Sequence, residues 1–192
     1  HVRVEYAVHF WCSRVQGSRS FRHRWQNRVF DLDRRRGIER LLNLTTLIVR
    51  YTSSDSDLPF NDLTPSSQLE NLTNLTIRDT PISDIGPLAT LLQIDELSLP
   101  NNQIADIRPL ANLPILRFLN LAGNQVVDLL PLRELSRLST INLTNNEVRD
   151  LSPLLEMTNL KSVWVRGNPL SSETLNDVVP ALRDRGIFVV GI

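Results

Sequence analysis

The chain has 192 residues, 41% of them hydrophobic and 22% charged, with a formal net charge of +0. This is globular composition, with enough chain for one sizeable core. No run of about 18 apolar residues occurs, so no membrane span is expected, and Cys12 as the single cysteine excludes intramolecular disulfides.

The charge is unevenly spread. Residues 1–40 hold ten arginines against four acidic residues, and residues 41–192 hold eleven basic against seventeen acidic residues. The chain opens on His1 rather than Met and carries no signal-peptide pattern, which reads as a fragment or a processed chain.

In chain order, His1 to Trp11 alternates, with Val2, Val4, Tyr6, Val8 and Phe10 on one face of a possible strand. Ser13 to Asn27 has no clear period and is rich in Arg, Ser and aromatic residues, and Arg34, Arg35 and Arg36 follow. Residues 1–36 therefore form an atypical Arg-rich segment with three open readings. It is an odd cap or the tail of a neighbouring domain, a stretch read in the wrong frame, or a basic arm for nucleic acid. A charge run is usually a solvated face, and no nucleic-acid motif accompanies this one.

From Leu41 a spaced frame begins, with Leu44, Leu47 and Val49, then Asp62, Leu63 and Pro65. Gly37, Ile38 and Glu39 look like the tail of one more unit before it. Within residues 51–61 the frame is interrupted by extra residues, YTSSDSDLPFN. Asp55 and Asp57 there are candidate oxygen ligands for Ca²⁺. The EF-hand frame fails, because Phe60 stands where Gly is needed and Ser66 where Glu is needed. A solvated loop with Asx-type turns is the preferred reading, and no metal is expected.

The frame then recurs cleanly from Leu69, Leu91, Leu113, Leu135 and Met157. Leu91 to Leu110 shows it best: L-x-x-I-x-x-L-x-L-x-x-N-x-I-x-D-I-x-P-L. Leu97 and Leu99 alternate around Ser98, which predicts a short half-buried strand. Asn102 stands where the chain must leave that strand, and its carboxamide can both donate and accept. Asp106 can accept from backbone N–H groups at the start of a turn, and Pro109 fixes φ there. One such coil cannot bury its own apolar side, whereas stacked coils can, so the repeat predicts a solenoid. The turn column is Thr80, Asn102, Asn124, Asn146 and Asn168, the acidic column Asp84, Asp106, Asp128 and Asp150, and the proline column Pro87, Pro109, Pro131 and Pro153.

After Asn168, Pro169 and Leu170, either Ser171 or Ser172 can cap a helix whose apolar face is Leu175, Val178, Val179 and Leu182. Pro180 is expected to break or restart that helix. Gly186 suits the residue just past its end, and Ile187 to Val190 reads as a last strand.

These residues resemble the 22-residue bacterial leucine-rich repeat family of the internalin-like type, from roughly Gly37 to the end. The resemblance implies an α/β solenoid, a right-handed superhelix with a concave parallel sheet and convex 3₁₀ or irregular turns. It also implies repeats over 37–170 and a helix–strand cap over 171–192. The outward positions of the strands would line the concave face. Phe118, Trp164, Arg78 and Arg166 are its expected binding anchors, because aromatic residues and Arg dominate interfaces. Asn120, Asn142, Glu96 and Arg50 complete the candidate surface. Trp164 has a second reading, in which it packs against the cap helix.

Catalysis is not expected. The three histidines, His1, His9 and His23, all precede the repeats, so no Ser–His–Asp set can form within them. The chain has no phosphate-binding loop, dinucleotide fingerprint or zinc-protease motif, and no cofactor is implied. The Asn-Leu-Thr triplets at Asn43, Asn71, Asn74 and Asn142 match the glycosylation pattern, but they also match the repeat frame. The reading is a monomeric, non-enzymatic module whose partner is a protein or peptide. The resemblance favours an extracellular or cell-surface location. A spacer region of a larger surface protein or enzyme is the alternative, and nucleic-acid binding by the Arg-rich arm a further one.

Overall fold

The structure is a computed structural model that describes residues 44–50 and 61–192. The readings for residues 1–36, for the unit tail at Gly37, and for the insertion with Asp55 and Asp57 lie outside the described residues.

Alternating leucines produce strands at each repeat: β1 (Thr46–Arg50), β2 (Asn74–Arg78), β3 (Glu96–Ser98), β4 (Phe118–Asn120), β5 (Thr140–Asn142), β6 (Ser162–Trp164) and β7 (Phe188–Val190). They form one parallel sheet in sequence order. Register follows the frame, with Leu75 opposite Leu97, Leu97 opposite Leu119, Leu119 opposite Ile141 and Ile141 opposite Val163. Leu47 pairs with Leu75 across the interrupted repeat, so the extra residues leave the register intact.

Each coil returns through a short 3₁₀ helix: Thr64–Gln68, Gly86–Thr90, Arg108–Asn112, Leu130–Leu132 and Ser152–Glu156. Each has Pro in its first two positions, where a missing N–H costs nothing. An aspartate two residues before the turn accepts a backbone N–H every time: Thr64 N to Asp62 Oδ1 at 2.8 Å, Gly86 N to Asp84 at 2.7 Å, Arg108 N to Asp106 at 3.0 Å, Leu130 N to Asp128 at 2.9 Å and Ser152 N to Asp150 at 2.7 Å.

The core is one continuous cluster running from Leu47 to Val189. Its members are the inward leucines of the strands plus Ile104, Ile107 and Leu110 and their equivalents. Burying each such side chain contributes roughly 1.5–3 kcal/mol. Ser66 departs from this pattern. It occupies the position that Leu88, Leu110, Leu132 and Leu154 hold later; it is fully buried, and its hydroxyl has no partner among the described residues.

The C-terminal cap closes the stack. Ser171 rather than Ser172 caps the helix, accepting from Thr174 N at 3.1 Å. The helix does not break at Pro180, but its α-helical part starts afresh at Val179 with Pro180 in its first two positions. A π-helical turn over Thr174–Val178, with Val179 N bonded to Thr174 O, leads into α1 (Val179–Asp184). The wider turn corrects the expected apolar face: Thr174 is buried and Leu175 is exposed. Five-residue spacing puts Thr174 above Val179, and its Oγ1 donates to Arg149 O at 2.9 Å. Gly186, at φ +79°, ends the helix in a Schellman motif, with Gly186 N to Arg183 O at 2.8 Å and Ile187 N to Leu182 O at 3.1 Å. Arg185 ties the cap to the last coil by donating to the carbonyls of Leu155 and Met157.

Candidate functional site

The sheet is anomalous in one respect. Parallel sheets are ordinarily covered on both faces, yet here buried residues alternate along each strand with residues that are not buried. Among the described residues no layer covers the outward face. Seven strands at about 4.8 Å make it roughly 29 Å long.

The backbone beneath this face is fixed by two columns at the strand ends. In the first, each asparagine carboxamide bridges two coils. Asn124 Nδ2 donates to Leu99 O at 2.8 Å and Leu121 O at 2.9 Å, while its Oδ1 accepts from Ile104 N at 3.0 Å. Asn146 does the same with Leu121 O, Leu143 O and Val126 N, and Asn168 with Leu143 O, Val165 O and Val148 N. Asn102 donates to Ile77 O and Leu99 O, and its Oδ1 accepts from the Thr80 hydroxyl. Thr80 has no amide, so the bridging stops at that coil. The second column, which sequence reasoning missed, is Asp79, Asn101, Gly123, Asn145 and Gly167. All five adopt positive φ, between +55° and +75°. The signal was present, since these are the residue types that tolerate the left-handed region and they recur at the same step.

Side chains on the open face differ from coil to coil. Arg78 (β2) and Glu96 (β3) lie toward one end; Phe118 and Asn120 (β4) and Asn142 (β5) lie in the middle; Trp164 and Arg166 lie at the other end. Arg50 ends β1, and its side chain lies outside the described set. Arg78 and Arg166 are four strands apart, about 19 Å, so the anchors expected from the sequence do not form one cluster.

The polar members are partly engaged with each other. Asn74 Nδ2 donates to Glu96 Oε2 at 2.7 Å, and Asn120 Nδ2 to Ser98 Oγ at 3.3 Å. Asn120 and Asn142 use their Oδ1 atoms to accept from Ala122 N and Thr144 N, at 3.1 and 3.0 Å. Arg78 lies 3.9 Å from Asp79. Trp164 points away from Val163 and Val165, whose side chains join the core with Val179 and Leu182 of the cap. β7 adds two residues that the sequence alone did not place on this face: Phe188 is 72% exposed and Val190 42%. They align with Ser162 and Trp164, which are opposite them on β6.

At the sheet's rim, the Arg117 guanidinium bonds the Asp95 carboxylate and holds its pKa below the usual value. On the turn side the Arg108 side chain, helped by its own backbone N–H, holds Asp106 down to about 2. A hollow of about 770 Å³ opens at the rim between Thr45, Glu70, Asn71, Thr73, Thr90, Leu92 and Gln93. No histidine or cysteine lines it. No group of three His, Cys, Asp or Glu side chains that could hold a metal occurs among the described residues. No helix among them is long and apolar enough to cross a membrane.

The sequence matches the family model for leucine-rich repeats in two copies over residues 92–134. No curated protein matches it. The structure is similar to the internalin inlF of Listeria monocytogenes, with 28% identity and TM-score 0.67 over 81% of this chain and 43% of that one. It is also similar to internalin C2 of the same organism, with 32% identity and TM-score 0.60 over 81% of this chain and 74% of that one. A leucine-rich repeat protein of Leptospira interrogans shares the fold at 21% identity and TM-score 0.68, over 78% of this chain and 37% of that one. The chain thus spans less than half the length of two of these three proteins. Leucine-rich repeat domains generally serve as protein–protein interaction modules. With this frame, this sheet and this degree of identity to internalin C2, the chain belongs to the internalin-like leucine-rich repeat family.

Proposed function

We propose that the open face of the sheet binds a protein or peptide, and that the chain acts as a recognition module outside the cell or on its surface rather than as an enzyme. One observation carries the reading: among the described residues nothing covers the face, and most of its side chains vary while those beneath it repeat. The face is long enough for an extended peptide of about eight residues, or for one side of a small domain. Binding on a scaffold of this kind costs little ordering, because the backbone is already fixed.

The test uses a random dodecapeptide display library selected on the full chain. Thr140 sits mid-face between Phe118 and Ser162, and Thr140→Arg places a bulky charge there. Gln125→Arg, on the exposed turn side, is the control. The expected result is that Thr140→Arg abolishes binding of the selected peptides while Gln125→Arg leaves it unchanged. Equal binding by both variants would overturn the reading and favour a spacer role.

A further inference from the structure

The open face is not uniform from end to end. Its C-terminal end gathers Trp164, Phe188 and Val190, which are 36%, 72% and 42% exposed. Trp164 is opposite Val190 in register, and Phe188 lies beside Ser162 on the same side. Ile192, 57% exposed, follows two residues on. Arg166 stands on the same face, two residues beyond Trp164.

Arg166 differs from the other arginines that the fold engages. Arg78 lies near Asp79, Arg108 pairs with Asp106, Arg117 pairs with Asp95, and Arg185 donates to two carbonyls. The Arg166 side chain is exposed and has no hydrogen-bond or ion-pair partner among the described residues. Its backbone, by contrast, is held tightly. Arg166 O accepts from Asn145 N at 2.7 Å. Gly191 packs so closely that a Cβ there would lie 2.6 Å from Arg166 Cβ. Of the described outward side chains on strands β1 to β7, Glu96 is the only acid; it is three strands away and already bonded to Asn74.

A free cation on a fixed base, beside an apolar cluster, is complementary to an anion attached to an apolar group. Asn142 adds a third requirement. Its Oδ1 is taken by Thr144 N, and its Nδ2 has no acceptor among the described residues. A peptide carbonyl would supply one. We infer that this end of the face binds a polypeptide segment in which a bulky apolar side chain seats on Trp164, Phe188 and Val190 and a carboxylate one or two residues away pairs with Arg166. Arg166 follows Trp164 by two residues, just past the end of β6, and alternate side chains of an extended chain are about 7 Å apart. The carboxylate is an Asp, a Glu or a chain terminus. This inference rests on the open-face reading above and adds the partner's chemistry to it.

The test starts from dodecapeptides selected on the full chain, synthesised with a fluorophore and titrated by anisotropy. The expected winners carry an aromatic or large aliphatic residue next to an acid. Trp164→Ala then weakens binding by about tenfold or more, as anchor removal does. Arg166→Gln weakens the acidic peptide, yet leaves unchanged a peptide whose acid has been replaced by its amide. If winners lose binding with Thr140→Arg but are indifferent to Trp164→Ala and Arg166→Gln, the inference is overturned while the open-face reading stands. Indifference to all three variants overturns both. Both tested side chains are on the exposed face, and unchanged thermal midpoints for the two variants confirm that the fold is intact.

Discussion

The buried side of each coil and the open side of the sheet are built from the same strands, yet they use sequence in opposite ways. On the buried side, position 97 is repeated as Leu119, Ile141 and Val163, and position 124 as Asn146 and Asn168. On the open side, position 96 becomes Phe118, Thr140, Ser162 and Phe188. The buried side is constrained by packing and by backbone groups that must find partners. The open side is constrained less: Asn120 and Asn142 still accept from backbone N–H groups, whereas the column from Glu96 to Phe188 shows no such repetition. The contrast teaches where to look in a stacked protein: what recurs holds the stack together, and what varies over a rigid base is free for recognition.

The contrast breaks most clearly at the asparagine column. Asn124→Ala would strand Ile104 N and remove one of the two donors from Leu99 O and Leu121 O, which still accept from Asn102 and Asn146. The stranded N–H costs about 1–3 kcal/mol, and each lost bond to a carbonyl that keeps its other donor costs about 0.5–1.5 kcal/mol. A loss of about 2–5 kcal/mol is expected, read as a lower denaturant midpoint at unchanged slope. A loss below about 1 kcal/mol would mean that the column contributes little to holding the stack together.

The column of positive φ gives a smaller effect with a sharper signature. Gly123 sits at φ +69°, and a Cβ there would lie 2.4 Å from Asn101 Oδ1. Asn101 cannot yield freely, because its Nδ2 donates to Asp79 Oδ1 at 2.8 Å. Gly123→Ala is expected to cost about 1–2 kcal/mol from the backbone alone, plus the collision. Asn101→Gly removes the collision but not the backbone strain. The two substitutions should therefore be non-additive in a double-mutant cycle, with part of the alanine's cost recovered.

On the open side the same measurement should read near zero. Thr140 is half-buried and its hydroxyl is only 3.4 Å from Ser162 Oγ. Thr140→Arg is expected to change stability by under about 0.5 kcal/mol, the usual range for surface sites, although it abolishes peptide binding. A large destabilisation would show that the open face also contributes to the fold, and the contrast between the two sides would fail.

Much of the fold was legible because repetition is a strong signal. Leu97, Leu119 and Ile141 share one spacing, and that spacing fixed the strands, their parallel order and their register. Legibility fell where the spacing changed. The chain from Val163 to Val189 takes a longer route than the 22-residue step, through a helix, so Phe188 and Val190 were not placed on the open face. A π turn is invisible to a 3.6-residue pattern, which is why Leu175 was assigned the buried place that Thr174 holds. The Asp79, Asn101, Gly123 column was missed for another reason. Three residue types share one backbone requirement, and a search for repeated identities passes over them.

The smallest effect tests the turn side. Asp106 is exposed and its carboxyl is held down to about 2, first by the Arg108 side chain and then by the Arg108 backbone N–H. A carboxyl whose pKa is lowered by folding stabilises the native state above its unfolded value of 3.8, and that contribution is lost as pH falls toward about 2. Carboxyl carbon shifts followed by NMR should give a midpoint near 2 for Asp106 in the intact chain. In Arg108→Gln the midpoint should rise toward 3.8 but stop short of it, because the backbone N–H remains. An unchanged midpoint would mean that the turn amide alone sets it. The repeated aspartate would then owe nothing to its variable neighbour, as the comparison between repeating and varying positions would have it throughout. A rise would show that one varying residue, Arg108, has been recruited to reinforce a repeating one, which makes the division between the two classes of position a strong tendency of this solenoid rather than a rule.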